Sequence, residues 1–146
     1  MHCHRWFAVI LPMTAALTFL LVSCGESKVS QCQKIIKVTN QAVTEAKSVT
    51  NAGQNKNPDA ILKTADTMDQ AAQDMKAIQV SDPKLKDYQA GFIKMYGDTS
   101  KATRALVGAL KKKDRTAAEA SLKNLQQATV PEQQLVTGLN SYCQSK

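Results

Sequence analysis

Apolar and small residues recur at steps of three and four along four stretches of this 146-residue chain, and no window alternates with a period of two. That spacing puts them on one face of an α-helix and gives no strand a buried side. The first stretch carries Cys32, Ile35, Thr39, Ala42, Ala46 and Val49. The second carries Ile61, Ala65, Met68, Ala72 and Met75. The third runs through Leu85, Tyr88, Phe92, Met95, Thr99, Ala102, Leu106 and Ala109. The fourth runs through Ala118, Leu122, Leu125, Ala128, Leu135, Leu139 and Tyr142. Four helices with short connections predict an all-α, antiparallel up-down-up-down four-helix bundle.

The boundaries carry their own chemistry. Gly53 to Asn57 breaks the first helix. Asn57-Pro58 supplies an N-cap followed by proline at the first helical position, and Ser81-Asp82-Pro83 repeats the device. Lys111, Lys112 and Lys113 fall in a last turn, where positive charge suits the helix dipole, and Asp114 caps the next helix. The expected helices are 29–52, 58–79, 83–112 and 115–143. Pro131 lies inside the fourth, where it removes a backbone hydrogen bond. A kink is the first expectation there. A split is the second, since Thr129-Val130-Pro131-Glu132 fits a capping box.

The N-terminus reads differently. A short head with Arg5 precedes an apolar run from Phe7 to Val22, then Ser23 and Cys24. This is the pattern of a secretory signal peptide. A membrane-spanning helix needs about 20 predominantly apolar residues, and Pro12, Thr14 and Thr18 interrupt this run. Leu21-Val22-Ser23-Cys24 matches the bacterial lipobox. By that match Cys24 receives a diacylglyceryl thioether and becomes the first mature residue. Two or three acyl chains, palmitate among them, suffice for stable membrane anchoring. The expected organisation is a cleaved lipoprotein signal peptide over 1–23, a lipidated tether over 24–28 and a bundle domain over 29–146.

Cysteine usage then resolves. Cys3 leaves with the leader, Cys24 is lipidated, and Cys32 and Cys143 remain. An exported compartment permits disulfides. In the up-down-up-down topology the start of helix one and the end of helix four share one end. Cys32 and Cys143 occupy those places, so a disulfide between them is expected.

The mature composition excludes several chemistries. His2, His4 and Trp6 leave with the leader, so no histidine remains. There is no C-x-x-C-H or Glu-x-x-His pattern and no Gly-rich phosphate loop. Nucleophilic catalysis lacks a histidine base and a free thiol. Asp66, Asp69 and Asp74 read as a solvated helix face. The expectation is no enzyme, no catalytic residue, no metal and no cofactor. Of 19 Lys+Arg only Arg5 is lost, leaving 18 against 12 Asp+Glu and a net charge of +6. Without aromatics interleaved in a basic stripe, this does not point to nucleic acid.

Two internal patterns have a packing reading. Tyr88, Phe92 and Tyr96 form an i, i+4, i+8 stripe, either a ligand face or core. Met68, Met75 and Met95 are either a soft-metal set or gap-fillers. Core packing is preferred for both. The surface feature with shape is Lys56, Lys111, Lys112, Lys113 and Arg115. The topology gathers them at the end opposite the lipid, about 36 Å away for a 24-residue helix. There they suit a protein partner, an acidic one by charge, beyond their role in dipole compensation.

With the lipobox, Cys32, Cys143 and the segment Phe92-Ile93-Lys94-Met95-Tyr96-Gly97-Asp98-Thr99-Ser100-Lys101-Ala102-Thr103-Arg104 in view, the chain resembles a group of small uncharacterised cyanobacterial lipoproteins. That resemblance implies no activity. It implies a membrane-held domain facing the periplasm or thylakoid lumen. In architecture and address the chain is similar to lipid-anchored helical bundles that assist photosystem II, without sharing their motifs. The expected function is a non-catalytic, membrane-anchored bundle that binds a protein partner. The alternative is a small-ligand-binding or sensor bundle with a pocket between helices.

Overall fold

A computed structural model describes residues 26–52 and 57–145, with the backbone alone over 49–52. The described residues form helices and no strand: α1 (Lys28–Ala52), α2 (Pro58–Ala77), α3 (Pro83–Lys111), α4 (Arg115–Thr129) and α5 (Glu132–Gln144). The last two are halves of one bent fourth helix, so the chain is the expected antiparallel four-helix bundle. The leader, Cys24 and Lys56 lie outside the described residues.

The helix starts follow from local chemistry. Asn57 accepts the Asp59 amide at 3.0 Å, Asp82 accepts the Leu85 amide at 2.9 Å and Asp114 accepts the Ala117 amide at 2.9 Å. Each satisfies an amide that the first helical turn leaves without a partner. The end of α2 is satisfied from a neighbour: Gln89 Nε2 donates to the carbonyls of Met75 and Ile78, both at 2.8 Å.

At Pro131 the helix bends and does not reset. Val130 and Pro131 both keep right-handed helical dihedrals, and the Leu135 amide reaches the Pro131 carbonyl at 2.9 Å. The capping box does not form. An N-cap needs an extended backbone, and Thr129 is still helical, its hydroxyl turned back to the Gln126 carbonyl at 3.0 Å.

α3 is the central helix, packing on α2, α4 and α5. Its Leu85 and Phe92 are fully buried with Ile35 of α1, Met75 of α2 and Leu139 of α5. The aromatic stripe is core: Phe92 and Tyr96 stack with ring centres 6.0 Å apart. Met68, Met75 and Met95 are buried in the same cluster. The fourth seam departs from expectation. In α4 only Ser121 is buried, and Leu122 is 47% exposed. α4 packs on α3, while α1 packs on α2 and meets α5, so the apolar side of α4 has one neighbour where a closed bundle gives two.

Cys32 and Cys143 are joined in a disulfide, with Cα atoms 5.9 Å apart. No helix of the described residues is long and apolar enough to cross a membrane.

Candidate interaction surface

The two ends of the bundle differ in kind. At the disulfide end the chain is tied down by polar bonds. Gln31 is 2% exposed, and its side-chain oxygen accepts the amides of Ser81 and Asp82 at 2.7 and 3.1 Å. Its nitrogen donates to the Glu26 carbonyl at 2.7 Å and Ser81 Oγ at 2.9 Å. Tyr142 donates to Asp82 Oδ2 at 2.8 Å, and Lys28 Nζ sits over the Tyr142 ring, 4.7 Å from its centre. The Leu85 amide, followed by Tyr142, holds the Asp82 carboxyl below its ordinary pKa. Glu26, two residues after Cys24, is therefore fixed at this end. Its ion pair with Lys34 at 2.7 Å and the Ser30 hydroxyl hold its carboxyl low as well.

The opposite end is the α3–α4 turn, about 43 Å away along the 29 residues of α3. Here the polypeptide makes a tight helix stop. The Lys113 amide bonds to the Leu110 carbonyl at 3.1 Å and the Asp114 amide to the Ala109 carbonyl at 3.0 Å. This is the Schellman pattern, which needs a left-handed residue at the position after the cap. Lys113 supplies it, at φ 56°. Glycine is the usual occupant, because a side chain there costs about 1–2 kcal/mol.

Beside this turn lies a groove of about 360 Å³, walled by Leu106, Leu110, Ala118 and Leu122. Leu110 is 46% exposed and Leu122 47%. Charged side chains rim it: Lys113, Asp114, Arg115 and Glu119. Of the expected basic cluster, Lys111 pairs with Asp59 across to α2 at 3.5 Å, and Arg115 pairs with Glu119 at 3.0 Å. Lys112 and Lys113 make no ion pair with any described residue. The structure thus gathers Lys111, Lys112, Lys113 and Arg115 at one end, half neutralised, with two lysines unmatched. The leucine pair is the part that the spacing does not reveal. Periodicity assigns Leu122 to the core, and Leu110 falls one residue outside the α3 seam.

A second cavity, about 250 Å³, lies deeper, where α1, α2 and α3 meet the bend at Pro131. Met68, Met95 and Tyr96 form its inner wall. Burial pushes the Tyr96 phenol above its ordinary pKa, partly offset by a hydrogen bond with Thr39 and reinforced by the Glu132 carboxylate.

Arg104 joins Asp66 at 2.7 Å and Asp69 at 2.6 Å, and its hydrogen bond holds Asp69 low. Among the described residues no group of three or more His, Cys, Asp or Glu is placed to hold a metal ion.

These features define a disulfide-closed helical bundle, tied at one end and carrying an apolar groove rimmed by charges of both signs at the other. In comparisons with known proteins, the chain matches no family model, no curated protein and no solved structure.

Proposed function

We propose that this chain is a non-catalytic lipoprotein, anchored through Cys24, that binds a protein partner with the α3–α4 end of its bundle. The domain then faces the periplasm, or the thylakoid lumen if the chain is one of the cyanobacterial lipoproteins it resembles. The observation that carries this reading is the pairing of exposed Leu110 and Leu122 with unmatched Lys112 and Lys113, at the end farthest from Glu26. Contiguous exposed apolar surface with a polar rim marks interaction sites. A left-handed lysine where glycine is cheaper adds to it, since strained residues cluster where function holds them. Charge favours an acidic partner. The residues after the leader hold no histidine and no phosphate loop, and the two cysteines of the bundle are bonded to each other.

Two experiments test it. A fatty-acid analogue should label the wild type and not Cys24→Ala; equal labelling would remove the anchor from the account. Replacing Lys111, Lys112 and Lys113 with Gln should leave the fold within about ±0.5 kcal/mol. The same change should weaken partner crosslinking in native membranes, most at low salt, where the Debye length exceeds about 10 Å. Crosslinking unchanged by the substitution and by salt would overturn the tip as the binding end.

A further inference from the structure

The cavity at the Pro131 bend is a separate matter from the tip. Thr99, on its wall, lies 12 residues or about 18 Å along α3 from Lys111 at the tip. We infer that this cavity is a binding site for a small, neutral, largely apolar molecule of about ten heavy atoms carrying one hydroxyl or carbonyl.

Size comes first. Packed interiors leave few voids larger than a water molecule. An apolar cavity of about 150 Å³ holds benzene, with six heavy atoms. The cavity here is about 250 Å³, which scales to about ten heavy atoms. It exists because Ala42 and Ala46 of α1 face Met95 and Tyr96 of α3, while the bend carries Thr129 and Glu132 past them. Larger side chains at either alanine would close it.

Chemistry comes second. Methyl groups, two thioethers and a neutral phenol supply apolar contact. Thr64 and Thr99 line the same space, and neither hydroxyl is hydrogen-bonded to another described residue, although Thr99 is only 8% exposed. The Tyr96 hydroxyl, by contrast, is engaged by Thr39. Two hydroxyls without partners on an apolar wall suit one polar group on the ligand, as small-molecule sites commonly do. Lys47 and Glu132, both exposed, line the cavity with one charge of each sign, which favours neither an anion nor a cation.

The test uses 1-naphthol, with naphthalene as its counterpart lacking the hydroxyl. The lipidated chain is held in nanodiscs, and the probes are followed by the NMR shifts of methionine methyl groups. Met68 and Met95 line the cavity, while Met75, buried in the same core, does not touch it and serves as the reference. Saturable shifts at Met68 and Met95, with Met75 unmoved, are expected. Thr99→Val should weaken 1-naphthol by about threefold to tenfold, one hydrogen bond's worth, and leave naphthalene unchanged. Ala46→Leu should abolish both. If Ala46→Leu disturbs the Met75 reference, Ala42→Val takes its place. Shifts of equal size at all three methionines would overturn the site. So would binding that survives the filled cavity, or a hydroxyl that confers no preference.

Discussion

Removing the Cys32–Cys143 bond should cost this bundle more than any other single covalent change. The two cysteines are 111 residues apart. On the chain-entropy relation a loop of that length contributes about 5 kcal/mol at 25 °C. Removal from natural domains typically costs about 2–5 kcal/mol, so the expectation is about 3–5. With an unfolding entropy near 2.1 cal/mol/K per residue, a domain of about 116 residues loses roughly 12–20 °C in Tm. Alanine is the right replacement, because Cys32 is 2% exposed and a buried serine hydroxyl would add a cost of its own. Calorimetry should compare oxidised wild type, reduced wild type and Cys32→Ala/Cys143→Ala. Reduction keeps both sulfurs, so reduced and doubly substituted chains should melt within a few degrees of each other. Hydrogen exchange should show where the loss falls. The bond joins α1 to α5, so these two helices should lose protection before α2 and α3. A reduced wild type that melts within about 3 °C of the oxidised chain would refute the cross-link's role.

Other perturbations separate the parts. Lys113→Gly should stabilise by about 0.5–1 kcal/mol in urea titration, because glycine takes the left-handed conformation without penalty. A loss of stability would mean that the Lys113 side chain contributes to folding. Gln31→Ala should destabilise by roughly 2–4 kcal/mol in the same assay, since it removes the buried side chain that ties down the amides of Ser81 and Asp82. Gly97→Ala should stabilise by about 0.5–1 kcal/mol, its added methyl meeting nothing within 4 Å, whereas Gly138→Ala, 2.9 Å from the Tyr88 hydroxyl, should not. Tyr96 and Tyr142 titrate above their ordinary value when folded, the first chiefly by burial and the second chiefly through its bond to Asp82. A raised folded pKa means stability that is intact below about pH 10 and lost as pH rises past it. Phenolate absorbance and loss of helix should therefore rise together above that pH.

How much of this was legible follows from how local each feature is. The helix starts at Asn57, Asp82 and Asp114 rest on bonds within three residues, and residue types alone announce them. The disulfide was legible because cysteine count and helix direction are separate constraints that agree. The burial of Gln31 was not legible, because its partners at Ser81 and Asp82 lie 50 and 51 residues away. Leu122 misleads because periodicity reports which face is apolar and not whether a neighbour covers it. The bend at Pro131 is legible as a kink, since the lost hydrogen bond is a property of the residue itself. The cavity beside it is not, since a void depends on the sizes of facing side chains from several helices. The left-handed Lys113 carries no signature in a run of lysines.

The anchored bundle with a binding tip is tested most directly by a photo-crosslinking amino acid placed in the full chain in its native membrane. One variant carries it at Leu110, in the tip groove, and another at Thr137, an exposed position on α5. The expected result is a discrete protein adduct from Leu110 that weakens when Lys112 and Lys113 are changed to Gln, and no equivalent adduct from Thr137. An adduct from Thr137 alone, or one from Leu110 indifferent to both lysines, would contradict the account.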